Sequence, residues 1–264
     1  MDFAIVLDEV LKVTAEAADF IRSQAGKVEA GDIEIKSRNS LVSFVDKQAE
    51  KILVKGLERI IGEAGFITEE ETVTQQKSEY TWIIDPLDGT TNFLQQIPVY
   101  AVSIGLMHGD QLILGVVSDV ERNETFYAWK GGGAWCNGLP IHVSDRLDIA
   151  DAVVATGFPY ASRDVLPQLT SVFEYFLKNA RGMRRLGSAA VDLAYVACGR
   201  FDAYYETTLN PWDIAGGIIL VEEAGGIVSD FAGNRDMLEN GQVIAAPARL
   251  HQSVLDNINS IFKP

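Results

Sequence analysis

The sequence predicts a mixed α/β protein, and three observations carry that prediction. Two helix-periodic segments open the chain and precede a run of β-rich segments joined by tight-turn signals. From about Ala150 strand and helix patterns alternate, which reads as a second α/β layer. With 264 residues, 47% of them hydrophobic and 22% charged, the chain can bury one large core or two packed ones. We take 1–264 as one compact unit, with a helix pair and antiparallel sheet in 1–145 and an alternating α/β half in 146–264.

Taken in order, Asp2 to about Ala25 reads as an amphipathic helix, with Phe3, Val6, Leu7, Val10, Leu11, Ala17, Phe20 and Ile21 at helical spacing and Gly26 as its stop. Ile33–Lys36 alternates like a strand and runs into a Ser37-Arg38-Asn39 turn. Leu41–Ile61 is predicted helical, with Asp46 near its start. Gly65–Thr68 is a short strand leading into Glu69-Glu70-Glu71, followed by a polar Thr72–Ser78. Tyr80–Ile84 is a buried strand that Pro86 is expected to stop. Pro98–Met107, Gln111–Ser118 and Glu124–Trp129 form a meander, and Cys136-Asn137-Gly138-Leu139 is a further hairpin signal. Gly131-Gly132-Gly133, between strands and without a following Lys-Ser/Thr, reads as close packing or a bulge. The second half is predicted as strand Ala152–Thr156, helix Val165–Lys178, strand Met183–Arg185, helix Ser188–Gly199, strand Ala203–Glu206, helix Trp212–Ala224, strand Val243–Ala245 and helix Leu250–Phe262. Arg184 and Arg185 could approach a phosphate, although paired arginines on a strand more often make surface salt bridges.

Composition removes several function classes. A net charge of −15 argues against nucleic acid as the main partner, because a phosphate backbone requires a basic surface. The two cysteines, Cys136 and Cys198, have neither zinc-ligand nor disulfide-framework spacing and fit a reducing cytoplasm. The N-terminus lacks signal-peptide features and no apolar run approaches the ~18 residues of a membrane span, so a cytoplasmic protein without membrane contact is expected. No chemistry is assigned to His108, His142 or His251.

The chemistry concentrates in Glu79–Phe93. Asp85 and Asp88 follow a buried strand, so both can face one point from a turn. Gly89 permits close approach of backbone to a ligand, and Thr90-Thr91-Asn92 offer hydroxyls, an amide and free N–H groups. If a helical turn opens there, those N–H groups form a seat for phosphate. A lone Asp-x-x-Asp is more often a capped turn than a site. The apolar strand, the glycine and the paired threonines shift the balance toward carboxylates for a hard cation beside donors for an anion.

Trp82-Ile83-Ile84-Asp85-Pro86-Leu87-Asp88-Gly89-Thr90-Thr91-Asn92-Phe93 resembles the first signature of the inositol monophosphatase family. The second signature resembles Pro211-Trp212-Asp213-Ile214-Ala215-Gly216-Gly217 followed by Glu223-Ala224-Gly225-Gly226, ~120 residues on. The resemblance covers essentially the whole chain. It implies a layered α-β-α-β-α sandwich of the sugar-phosphatase type, and Mg²⁺-dependent hydrolysis of myo-inositol 1-phosphate or a similar ester. Relatives with the same signatures hydrolyse histidinol phosphate, fructose 1,6-bisphosphate or phosphoadenosine phosphate. It further implies two, or three, Mg²⁺ ions, one between Glu69, Asp85 and the Leu87 carbonyl and another between Asp85, Asp88 and Asp213. Thr90, with Asp46 beside it, matches the group that holds the attacking water. Asp88, Gly89, Thr90, Gly187, Ser188, Ala189, Glu206 and Asp213 match substrate contacts, and Lys36 matches a lid residue. Thr68 departs from the family's usual glycine. The resemblance also implies a homodimer, and some bacterial members bind transcription machinery, the alternative of a different class.

Overall fold

The apolar stripe at the N-terminus forms α1 (Phe3–Gln24), and the chain turns at Gly26, φ 71°. The structure is a computed structural model that describes residues 3–28, 31, 33–37, 40–158 and 163–262. β1 (Ile33–Ser37) pairs antiparallel with β2 (Ser40–Ser43). The helix expected from Leu41 therefore begins only at Phe44, as α2 (Phe44–Ile60): Ser43 ends the strand and takes the N-cap, accepting the Val45 N–H.

β3 (Gly65–Thr68), β4 (Tyr80–Asp88), β5 (Ala101–His108), β6 (Gln111–Asp119), β7 (Glu124–Trp129), β8 (Ala134–Cys136) and β9 (Leu139–Ile141) lie in chain order in a 7-stranded sheet. The meander holds from β4 onward, but β3 and β4 run parallel, because the segment between them crosses back instead of making a hairpin. Asn137 (φ 48°) and Gly138 (φ 82°) are left-handed in succession, as a two-residue hairpin turn requires. Pro86 does not end β4. Asp85 pairs with Ser103 and Asp88 with Ala101, so one extra residue is accommodated in a bulge at Pro86–Leu87. A proline there removes no ladder bond.

The short α3 (Thr90–Leu94) lies between β4 and β5, and the second half supplies β10 (Val153–Thr156), α4 (Leu166–Asn179), β11 (Gly182–Arg184), α5 (Ala189–Ala197), β12 (Ala203–Glu206), α6 (Pro211–Glu223), β13 (Gly226–Ser229), α7 (Met237–Asn240), β14 (Val243–Pro247) and α8 (Ala248–Ile261). α3 precedes the half-way point and is the helical turn anticipated after Asp88. β13 and α7 are additions to the sequence reading, both short. The 5-stranded sheet has the order β11-β10-β12-β14-β13. Its first three strands are parallel and the rest antiparallel.

Strand alternation sorts these elements into layers. Trp82 and Ile84 of β4 face α1 and α2, where Val10, Ile21, Leu53 and Leu57 are fully buried, whereas Ile83 faces Ala215 of α6. α5 and α6 fill the space between the sheets, with Leu193 and Ile218 against Phe126 on one side and Tyr204 on the other. Tyr205, pointing the other way from β12, packs with Phe176 of α4 and Val254 of α8. The result is the layered α-β-α-β-α order, with α5 and α6 hydrophobic all round because a sheet covers each face.

Candidate active site

Four elements deliver carboxylates to one end of the 7-stranded sheet. The β4 bulge supplies Asp85, buried, and Asp88, half-buried. The end of β3 supplies Glu69, whose N–H donates to the Ile84 carbonyl at 3.2 Å and so lies alongside Asp85. α2 supplies Asp46 and α6 supplies Asp213, each the third residue of its helix. There each accepts the N–H of the cap residue, Ser43 to Asp46 at 2.8 Å and Asn210 to Asp213 at 2.7 Å.

The glycines of the second signature explain how α6 reaches this point. A Cβ on Gly115 would lie 2.5 Å from the Gly216 carbonyl, and one on Gly216 would lie 2.9 Å from the Ile104 carbonyl. The helix backbone is thus pressed onto β5 and β6. The Ser103 hydroxyl donates to the Trp212 carbonyl at 3.2 Å, tying the first turn of α6 to the residue paired with Asp85. Sequence spacing cannot show this contact; the glycines carry its signal.

Thr90 opens α3 after Gly89, whose φ of 93° admits little but glycine. Its hydroxyl lies 2.9 Å from Asp46 Oδ1 and 3.1 Å from the Leu87 carbonyl. Asp88 Oδ2 accepts the Ser188 hydroxyl at 2.6 Å and the Ala190 N–H at 2.7 Å, so this carboxylate also secures the start of α5. The buried Asn92 amide clamps the neighbouring loop, donating to the carbonyls of Val99 at 2.8 Å and Leu186 at 2.9 Å.

A cavity of about 300 Å³ opens beside these groups, lined among others by Asp88, Arg185, Gly187, Ser188, Glu206 and Asp213. Ala189 also lines it. Of the expected contacts, Glu69, Asp85, Leu87, Gly89, Thr90 and Asp46 do not line this cavity; Lys36 falls in β1, and its side chain lies outside the described residues. Of the two arginines, Arg185 is the one at the site. It lines the cavity, with its guanidinium 5.3 Å from the centre of the Phe158 ring. It also counteracts the upward pressure on Asp88 and Glu206. Gly157 is a residue that sequence reasoning misses: a Cβ there would fall 1.9 Å from Glu206 Oε1, so a larger residue would displace that carboxylate from its place beside Tyr204.

Among the described residues the site is short of positive charge. Burial, then the charges of Glu69, Asp88 and Asp213, hold the Asp85 carboxyl well above its ordinary range. Burial and then Asp88 do the same to Asp213. Burial pushes Asp88 up to about 6 against the pull of Ser188, Ala190 and Arg185. It pushes Glu206 to about 7 against the Tyr204 hydroxyl, 2.6 Å away. Asp46 is raised by burial, opposed by its bonds from Ser43 and Thr90. Such a donor set fits a hard divalent cation in kind: all oxygen, anionic and repelling. Among the described residues, however, no three His, Cys, Asp or Glu side chains stand together as a ready-made cation cage. Asp88 and Asp213 each have one oxygen turned to a backbone N–H, of Ala190 and of Asn210.

The inositol monophosphatase family model matches residues 6–262. This chain belongs to the inositol monophosphatase family. An inositol-1-monophosphatase of Mesorhizobium japonicum is 38% identical over 251 residues, 95% of this chain and 94% of the relative. The Nus factor SuhB of Escherichia coli K12 is 36% identical over 254 residues, 96% and 95% of the two chains. The crystal structure of the extragenic suppressor protein suhB of Bartonella henselae superposes with a TM-score of 0.92 at 34% identity, covering 96% of this chain and 98% of that one. The family's layered fold is the one described above, and the family is one of phosphatases. Its first signature is the β4 bulge with α3, and its second is the start and the glycine face of α6.

Proposed function

We propose that the protein is a Mg²⁺-dependent phosphomonoesterase whose substrate is myo-inositol 1-phosphate or a closely related polyol phosphate. The observation that carries this reading is that Glu69, Asp88 and Asp213 lie near enough to raise the Asp85 carboxyl, while Asp88 and Asp213 also line a cavity shared with Arg185 and Glu206. Glu69, Asp85 and the Leu87 carbonyl would hold one ion, and Asp85, Asp88 and Asp213 a second. When bound, the ions supply Lewis-acid polarisation of the phosphate and acidify the attacking water.

The chain's own groups do the rest. The Thr90 hydroxyl, donating to Asp46 Oδ1 or to the Leu87 carbonyl, keeps a lone pair to orient the attacking water. Glu69 or Asp46 can take the water's proton as its oxygen forms the bond to phosphorus. The ester P–O bond breaks and the departing alkoxide takes a proton from bound water. Glu206, held by Tyr204, accepts a hydrogen bond from a polyol hydroxyl, and the Gly187–Ala189 backbone lines the ring. Arg185 offers a cation for the phosphate or for a carboxylate left uncompensated. The same reading takes the protein to be a cytoplasmic homodimer.

Phosphate release from inositol 1-phosphate, histidinol phosphate, fructose 1,6-bisphosphate and phosphoadenosine phosphate, with Mg²⁺ and with EDTA, tests this reading. Preference for inositol 1-phosphate, abolished by EDTA, is expected. Preference for another ester changes the substrate and keeps the chemistry. No turnover of any of them favours a second reading, a protein that binds transcription machinery. That reading is supported by the name Nus factor borne by the E. coli relative.

A further inference from the structure

Glu50 is fully buried, lies one helical turn after Asp46 in α2, and takes no part in the chemistry above. Its carboxylate nevertheless makes the densest set of bonds near the site. Oε1 accepts the Thr68 hydroxyl at 2.9 Å, the Thr72 N–H at 2.7 Å and the Thr72 hydroxyl at 2.7 Å, while Oε2 accepts the Glu70 N–H at 2.8 Å. Two of these bonds bracket Glu69, one on each chain neighbour. Three fall on the neighbours of Glu71, a non-glycine residue at φ 51°. A left-handed residue of this kind persists only where its surroundings hold it. Gln75 completes the frame, donating to the Thr68 hydroxyl at 3.0 Å and accepting the Thr68 N–H at 2.6 Å.

We propose that Glu50 is a positioning residue that fixes the Thr68–Thr72 turn, so that Glu69 is presented to the cation beside Asp85. The proposal rests on the cation-dependent reading of the site. It gives one face of α2 two duties: Asp46 holds Thr90, and Glu50 holds the Glu69 turn. It also accounts for Thr68 in place of the family's usual glycine, since the hydroxyl is one of the four donors to Glu50. Glutamine at position 50 keeps the size of the side chain but sets its amide NH₂ against a backbone N–H, of Glu70 when its carbonyl keeps the other three donors, which weakens the hold on the turn.

The test is Mn²⁺ titration of the full-length protein, followed by electron paramagnetic resonance, with thermal unfolding of the metal-free protein alongside. Glu50→Gln is expected to loosen Mn²⁺ binding about ten- to a hundredfold, the range for partners that orient a metal ligand. Turnover should return toward the wild-type kcat at saturating Mg²⁺, with the KM for the ester little moved. Thr72→Ala, which removes one donor and leaves α2 intact, is expected to loosen Mn²⁺ to a smaller degree and covers the case in which Glu50→Gln fails to fold. Wild-type Mn²⁺ affinity in Glu50→Gln, or in Thr72→Ala where only that variant folds, overturns the proposal. A wild-type protein that binds no Mn²⁺ overturns the reading of the whole site, and that result is distinct from equal binding by wild type and variant.

Discussion

Asp85 and Asp213 bring the same functional group to one point on different backbones. Asp213 sits in the first turn of a helix, where its carboxylate accepts the Asn210 N–H and favours the positive end of the helix dipole. Asp85 sits in a bulged strand, buried, with the Leu87 N–H at 2.9 Å as its hydrogen bond and three like charges around it. The helix acid therefore has a structural duty that remains when no cation is bound. The strand acid is a liability until one is. Asp46 belongs with Asp213, and Asp88, which secures the start of α5, lies between the extremes.

The largest expected effect separates function from stability across this pair. Asp85→Asn and Asp213→Asn should each lower turnover at least about a thousandfold, since each removes a ligand charge from the transition state. Their metal-free stabilities should differ in order. Asp85→Asn relieves repulsion and loses no helix cap, whereas Asp213→Asn weakens a capping box worth about 1 kcal/mol. Denaturant midpoints of the metal-free proteins should place Asp85→Asn above Asp213→Asn. The reverse order would break the comparison, and near-wild-type turnover in either variant would sink the assignment of both carboxylates to the cation.

A smaller effect probes how Asp213 is carried. Gly115→Ala puts a methyl group 2.5 Å from the Gly216 carbonyl and 2.4 Å from Ile219 Cγ2, both on α6. The helix must retreat from the sheet, at a cost of about 1–3 kcal/mol for an overpacked contact. Because Asp213 rides on that helix and Asp85 does not, turnover should fall together with the unfolding midpoint. A stability loss without loss of turnover would show that the start of α6 is held independently, through Ser103 and Trp212 alone.

The legible part of this site was what lies in contiguous sequence. The apolar run ending in Asp85, the left-handed demand at Gly89 and the helix start around Asp213 each have a local physical signature. The bulge that carries the chain through Pro86 was not legible, because it depends on the Asp85–Ser103 and Asp88–Ala101 pairings across β5. Gly157 and Glu50 escape a sequence reading for the same reason, which also leaves Arg185 undecided between a phosphate and a surface salt bridge. An arginine at the end of a short strand, a glycine after another and a glutamate inside a helix pattern look ordinary until Asp88, Glu206 and the Glu69 turn are placed against them. β3 was identified as a strand, but its parallel partner was fixed by a connection whose path composition does not encode.

The finest expected effect is a pH dependence that places Asp88 between the two extremes. Burial raises its carboxyl from an ordinary 3.8 to about 6 in the metal-free fold. The folded chain thus holds a proton that the unfolded chain releases between those values. Stability from this group is complete below about 3.8 and is lost as pH rises to about 6. Asp85 and Asp213 are raised in the same direction and extend the trend upward. A bound cation requires the ionised carboxylates, so binding releases these protons and weakens as pH falls through about 6. Thermal midpoints of the wild type minus those of Asp88→Asn, measured across this window in EDTA, should decline with pH; saturating Mg²⁺ should abolish the decline. A difference that instead grows with pH in EDTA would mean that Ser188, Ala190 and Arg185 outweigh burial, and would move Asp88 to the side of the structural acids.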